Sequence, residues 1–295
     1  MWQQLLNSLR QGDIQSLART ISLIENESAG HEQLMQELQQ DQPAKIIGIT
    51  GPPGAGKSTL TDALIGELVE RGKKVAVLCV DPSSPFNFGS LLGDRIRMSE
   101  WYNNPNVFIR SLATRGALGG LHPKIIEISD ILKEAGYDYI IVETVGVGQS
   151  EVEIAGIADV TIVVLVPEGG DVIQTMKAGL MEIADIFVVN KSDRPGADTF
   201  FHDLTMMLDA AGNKAEVPVI KTIAPEKKGI DELFSAIMEK CKEAGSPDKK
   251  YSLLAEKAYY IIQNKRMNDI NKKELFNEIK KNKVENLYTF LGRYF

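Results

Sequence analysis

Residues 51–59 read GPPGAGKST, and this spacing of glycines, a lysine and two hydroxyls is the stretch with the clearest chemistry. Backbone at Gly51, Gly54 and Gly56 can wrap closely around a triphosphate. The N–H groups of Ala55, Lys57, Ser58 and Thr59, at the start of the following helix, then face its negative charge. Lys57 reaches the β- and γ-phosphates in this reading, and the Ser58 hydroxyl is placed to hold Mg²⁺. A glycine-rich turn without a ligand is the plainer alternative. The context argues against it, since the apolar run KIIGIT precedes the loop and the helix-periodic LTDALIGELVE follows it.

Three carboxylates follow later strand-like runs. Asp81 opens DPSSP, Asp94 lies in GDRIRM, and Glu143 closes YDYIIVET just before VGVGQSE. Mg²⁺ takes hard oxygen donors and retains several waters, so Asp81 and Asp94 can act on the metal directly or through water, and Glu143 can reach it through water. For Asp81 and Asp94 an acidic turn or helix cap stays open. P-loop hydrolases commonly carry Asp where this chain has Glu143, and the longer arm points to contact through water. The N–H of Gly146 is positioned to bind a γ-phosphate that is present before hydrolysis and gone after it, which is the logic of a switch. Arg110 and Arg115 flank the glycine-containing SLATRGALGGL, with no role fixed by sequence.

The run IFVVN ends in Asn190, Lys191, Ser192 and Asp193. Read as NKxD, the Asp193 carboxylate accepts from guanine N1–H and the exocyclic amine, Asn190 meets the opposite base edge, and the Lys191 stem covers the ring. Adenine offers no such donor pair, so GTP is the expected nucleotide. After VPVIK, the segment Thr222, Ile223 and Ala224 is the matching loop, with the Ala224 N–H available to the guanine oxygen.

These residues need a scaffold that brings strand ends together. Seven short apolar runs, KIIGIT, KVAVLCV, VFIRSL, YDYIIVET, VTIVVLV, IFVVN and VPVIKTIA, alternate with helical patterns. Residues apolar at successive positions suit strands buried on both faces, so a doubly wound, mainly parallel α/β sheet is expected, with ligands beyond its carboxyl edge. Residues 1–42 read as a helical extension of two or three short helices, either a layer on the domain or a partner-binding element. Residues 43–246 form the P-loop domain. Residues 247–295 are helical and lysine-rich, with an apolar stripe that either covers the domain or pairs two subunits.

Forty acidic against 33 basic residues give a formal charge of −7, which argues against nucleic acid or an anionic membrane as the main partner. No apolar run reaches the length of a membrane span, and the first residues lack the pattern of a signal peptide, so a cytoplasmic protein is expected. Cys79 and Cys241, and His31, His122 and His202, are too scattered to suggest a disulfide framework or a zinc site.

The combination GPPGAGKST, VDPSSP, GDRIRM, ATRGALGGL, ETVGVGQSE, GGDVIQTMKAGLMEIADIFVVNKSD and GIDEL resembles the MeaB family of GTPases, also known as ArgK and, in animals, as the methylmalonic aciduria type A protein. The resemblance runs from about residue 10 to 245. It implies a SIMIBI-class GTPase and homodimer that acts as chaperone to an adenosylcobalamin-dependent acyl-CoA mutase, gating cofactor loading and protecting or reactivating its client. It also implies that Ser58, Asp81, Asp94 and Glu143 are magnesium and switch positions. Asp171 and Lys177 fall in the segment that the family uses as an extra switch. Asn87 and Phe88 depart from the Thr-Gly common in the family's first switch. Two rival readings are a metal-insertion GTPase, which ordinarily carries Cys/His clusters, and a small-molecule or protein kinase, which needs an acceptor pocket.

Overall fold

Alternation along each strand decides the architecture. In the second strand, Val75, Val77 and Cys79 enter one buried cluster while Ala76, Leu78 and Val80 enter another on the opposite face. A strand apolar on both sides must lie between two layers of helices. The computed structural model has this arrangement and describes residues 1–38, 44–81, 98–114, 121–144, 153–168, 178–210, 217–244, 247–266, 270, 272–282 and 290.

Seven strands form one sheet: β1 Lys45–Thr50, β2 Val75–Asp81, β3 Val107–Ala113, β4 Tyr139–Glu143, β5 Val160–Leu165, β6 Ile186–Asn190 and β7 Val219–Thr222, in the order β3-β2-β4-β1-β5-β6-β7. Every pairing is parallel. The seven strands are the seven runs expected from sequence, and the parallel sheet bears out the doubly wound reading. The chain leaves β1 for β2 on one side and crosses from β4 to β5 on the other. The switch point is therefore at β1, and its carboxyl end opens the crevice where this topology binds ligands.

Ten helices of six residues or more are described: α1 Trp2–Arg10, α2 Ile14–Glu25, α3 His31–Gln36, α4 Lys57–Glu70, α5 Ile125–Glu134, α6 Ala178–Ile183, α7 Ala197–Ala210, α8 Ile230–Glu243, α9 Pro247–Arg266 and α10 Lys272–Asn282. Helices α4 and α8 cover one face of the sheet through Leu60, Leu64, Leu68, Leu233 and Ile237. On the other face, Leu6, Leu9, Leu17, Ile21, Ile24 and Leu34 of α1 to α3 share one core with α5 and with Ile46, Leu78 and Ile140 of the sheet. The N-terminal helices are thus a layer of the domain. Arg110 on β3 reinforces that layer, donating to Ser22 Oγ at 3.0 Å and pairing with Glu25.

The C-terminal apolar stripe divides. Tyr260 and Ile261 of α9 pack on the core shared with the N-terminal layer, and Asn264 Nδ2 donates to the Pro123 carbonyl at 3.4 Å. Tyr251, Leu254, Tyr259 and Ile262 face outward, as does Phe276 on α10. No helix among the described residues is long and apolar enough to cross a membrane.

Lys257 lies half-buried on the inner side of α9. Desolvation, helped by the nearby Lys133 ammonium and opposed by Asp159 and Asp130, pushes its pKa down from 10.5 to about 8. Between those two values the folded protein holds fewer protons than the unfolded chain, so this group makes stability rise with pH across that window. Below about pH 8 the buried ammonium is a standing penalty. Lys257→Met is expected to raise the urea midpoint at pH 7 and to flatten the rise at alkaline pH. A Lys257→Met profile parallel to that of wild type would contradict this account.

Candidate functional site

The loop from β1 to α4 lies across the carboxyl ends of β5 and β6 with no room for side chains at two points. Gly51 has φ of 134°, and a Cβ there would sit 2.1 Å from the Val164 carbonyl oxygen. Gly56 has φ of 89°, and a Cβ would sit 2.4 Å from Asn190 Nδ2. Both conformations and both contacts require glycine. Lys57 is buried, and its ammonium donates to the Gly51 and Pro52 carbonyls at 2.9 and 3.1 Å. The cation is thereby folded over the loop's own concavity. The first i to i−4 bond of α4 runs from Leu60 N to Gly56 O, so the N–H groups of Lys57, Ser58 and Thr59 form the helix's open amino end. Ser58 is buried and Thr59 is exposed.

The end of β4 joins this helix start. Glu143, in register with Ile49 of β1 and Cys79 of β2, is buried. Its Oε1 accepts from Ser58 Oγ at 2.5 Å and its Oε2 accepts from Thr61 Oγ1 at 2.8 Å. Thr144 is fixed to β1, its N–H bonding to Ile49 O at 3.0 Å and its hydroxyl to Thr50 Oγ1 at 2.8 Å. Glu143 and Ser58, expected on one metal, are therefore in direct contact. Thr61 was not anticipated. The available signal was its place one helical turn after Ser58, which puts both hydroxyls on one face.

A second junction forms at the end of β6. Asn190 is buried, its Nδ2 donating to Ala55 O at 2.9 Å while its Oδ1 accepts from Thr222 Oγ1 at 3.0 Å and from Ala224 N at 3.3 Å. The amide expected to meet a base edge thus ties together three loops. Lys191 takes a left-handed φ of 57° and reaches back to Gly54 O at 2.8 Å. Asp193 follows in an exposed turn, with Lys228 close enough for its pKa to be raised, first by Glu226 and in part by Asp193. Arg194 pairs with Glu168, which brings the segment after β5 beside this turn.

The structure therefore brings together Gly51, Gly54, Ala55, Gly56, Lys57, Ser58, Thr59, Glu143, Asn190, Lys191, Asp193 and Ala224 at one sheet edge. Asp81 closes β2 at that same edge. Its side chain, together with Asp94, Arg115, Gly146, Asp171 and Lys177, lies outside the described residues. Arg110 on β3 is paired with the N-terminal layer and is not part of this site.

Comparison with known proteins places the site in a family. The description "Methylmalonyl Co-A mutase-associated GTPase MeaB" matches residues 17–278. The chain belongs to the MeaB family of GTPases. It is 47% identical over 269 residues to a protein of Pyrococcus horikoshii named as a GTPase, an alignment covering 88% of this chain and 85% of that one. It is 41% identical over 207 residues to the mitochondrial methylmalonic aciduria type A homolog of Caenorhabditis elegans, covering 65% of this chain and 52% of that one. A crystal structure titled as an LAO/AO transport system kinase superposes with a TM-score of 0.71 at 27% identity, covering 99% of this chain and 95% of that one. The MeaB-family resemblance in the motifs is borne out, and the protein is a GTPase that binds guanine nucleotide.

Asn190→Ala removes the bond to Ala55 and strands the Thr222 hydroxyl in a buried setting. The free energy of unfolding in urea is expected to fall by about 1–3 kcal/mol. An unchanged midpoint would show that the three loops are held by other means.

Proposed function

We propose that this GTPase works with Mg²⁺ as a chaperone for an adenosylcobalamin-dependent acyl-CoA mutase, gating cofactor loading and protecting or reactivating the client. The observation that carries the reading is the contact between Ser58 and Glu143. It joins the phosphate loop to the strand leading into TVGVGQSE, so nucleotide chemistry at one end of the contact is continuous in the chain with a family-specific segment at the other. The family's description supplies the mutase as the partner class.

The donors present fit magnesium. A buried hydroxyl and a carboxylate offer hard oxygen donors, and Glu143 acts through water. The ion supplies positive charge to the phosphate oxygens. Asp81 and Asp94 complete the proposed metal set. Lys57 and the backbone through Ser58 and Thr59 stabilise phosphoryl charge, and Gly146 reads the γ-phosphate. Asn190 and Ala224 shape the base pocket, Lys191 covers the base, and Asp193 selects guanine. Asp171 and Lys177 form the further switch that reports nucleotide state to the client. The outward apolar face of α9, with Tyr251, Leu254 and Ile262, supports a homodimer.

Two measurements test the proposal. Asp193→Ala should weaken GTP binding by about 1–3 kcal/mol, and Asp193→Asn should move preference toward xanthine nucleotides. GTP affinity unchanged in both would remove Asp193 from the base site. For the client, pull-down against adenosylcobalamin mutases is expected to differ between GTP-analogue and GDP forms, with GTP hydrolysis to free phosphate stimulated by the bound mutase. Lys177→Ala should keep nucleotide affinity and lose that stimulation, because coupling needs differential contacts in the two states. Release of a phosphorylated acceptor in place of free phosphate would favour the kinase reading. Equal mutase binding in both nucleotide states would overturn the chaperone reading.

A further inference from the structure

Hydroxyls inside helices ordinarily bond back to the carbonyl one turn earlier. Thr20, Ser22, Ser129, Thr205 and Ser235 all do so here, donating to Ser16, Ala18, Ile125, Phe201 and Asp231 at 2.7 to 3.0 Å. Thr61 instead donates across to Glu143 Oε2 at 2.8 Å. It is fully buried, and it stands three residues after Ser58, whose hydroxyl donates to the other oxygen of the same carboxylate. One helix face thus grips one carboxylate at two points.

This grip addresses a difficulty created by glutamate. Glu143 has one more rotatable bond than an aspartate would have at the end of β4, and so more conformations to lose before its carboxylate can act at a fixed place. Two hydroxyl donors, each to a different oxygen, fix both the position and the plane of the carboxylate. With Oε2 held by Thr61, Oε1 stays on Ser58 and draws the serine proton toward itself. A hydroxyl has one proton and two lone pairs. A serine whose proton is committed to Glu143 presents lone pairs, which are what a hard cation requires.

We infer that Thr61 is a positioning residue for magnesium, acting through Glu143 to hold Ser58 in its metal-accepting orientation. This rests on the reading that Ser58 and Glu143 form the metal locus. It assigns Thr61 no contact with nucleotide or metal.

The test uses the full chain, GDP and MgCl₂, and reads the Mg²⁺ concentration that half-restores tight GDP binding after chelation. Thr61→Val keeps the shape and removes the hydroxyl. It is expected to raise that concentration about tenfold or more, tenfold being the low end of the effect of one lost hydrogen bond to a charged group. GDP affinity in the presence of chelator should match wild type. Thr61→Ser, which restores the donor, should return the titration to wild type. Thr61→Ala serves the same comparison if the valine variant folds poorly. In a Glu143→Ala background, loss of the Thr61 hydroxyl should have no further effect on the Mg²⁺ titration. Three results would overturn the proposal: a Thr61→Val titration that overlays wild type, failure of Thr61→Ser to restore it, or a Thr61 effect that persists without Glu143. If wild-type GDP binding shows no Mg²⁺ dependence at all, the metal reading of Ser58 and Glu143 fails first. That result is distinguishable because it appears before any variant is compared.

Discussion

The phosphate loop must lie so close to the carboxyl ends of β5 and β6 that its backbone meets the β5 backbone and the Asn190 side chain with no room between, and the site depends on that closeness. At Gly51 the neighbour is the Val164 carbonyl, and at Gly56 it is the Asn190 amide. A side chain at either position would push the loop off the strand ends and separate the phosphate half of the site from the base half. The closeness also explains the inward use of polar groups. Asn190 and Lys191 both donate to loop carbonyls, those of Ala55 and Gly54, so the groups that shape the base side also hold the phosphate side at a fixed distance.

Lys57 shows the same economy from the other direction. A buried ammonium needs partners, and here two carbonyls of its own loop provide them. The charge is solvated by protein dipoles and already stands over the concavity into which an anion fits. Less reorganisation is then needed when phosphate arrives, which is how preorganised sites gain from electrostatics.

Much of this was legible in the sequence because the sheet is buried on both faces. Continuous apolar runs leave little choice of architecture, so seven runs became seven parallel strands, and glycines and carboxylates just after them had to gather at one edge. The sequence said less wherever a residue's role depends on which neighbour it meets. Leu254, Ile261 and Ile262 share helical periodicity, yet Ile261 packs on the core while Leu254 and Ile262 face outward. Periodicity marks an apolar face but does not name what covers it. Arg110 read as a possible companion of the glycine-containing loop, and its partners proved to be Ser22 and Glu25 on a helix 85 or more positions earlier. Thr61 was hard to single out for a related reason, since its spacing from Ser58 puts both hydroxyls on one helix face but does not say that either will leave the helix for a strand-end carboxylate.

The placement of α9 adds a mechanical constraint to this chemistry. Residues 143 and 144 are pinned to α4 and β1, and the 3₁₀ turn Ile154–Gly156 contributes the fully buried Ile154 to the core beneath the sheet. The chain between these points therefore begins and ends on anchored residues. Helix α9 packs against the second anchor, with Glu256 Cβ within 3.9 Å of where a Cβ on Gly156 would stand. It also meets the 121–123 loop through Asn264 and the N-terminal layer through Lys265 and Glu32. Its opposite side carries the exposed apolar residues Tyr251, Leu254 and Ile262. One helix thus touches the turn of residues 154–156 on its inner side and presents an apolar surface on its outer side. A shift at the turn of residues 154–156 has to be absorbed by α9 or resisted by its contacts with residues 32 and 123, because close-packed layers transmit displacement more readily than they compress.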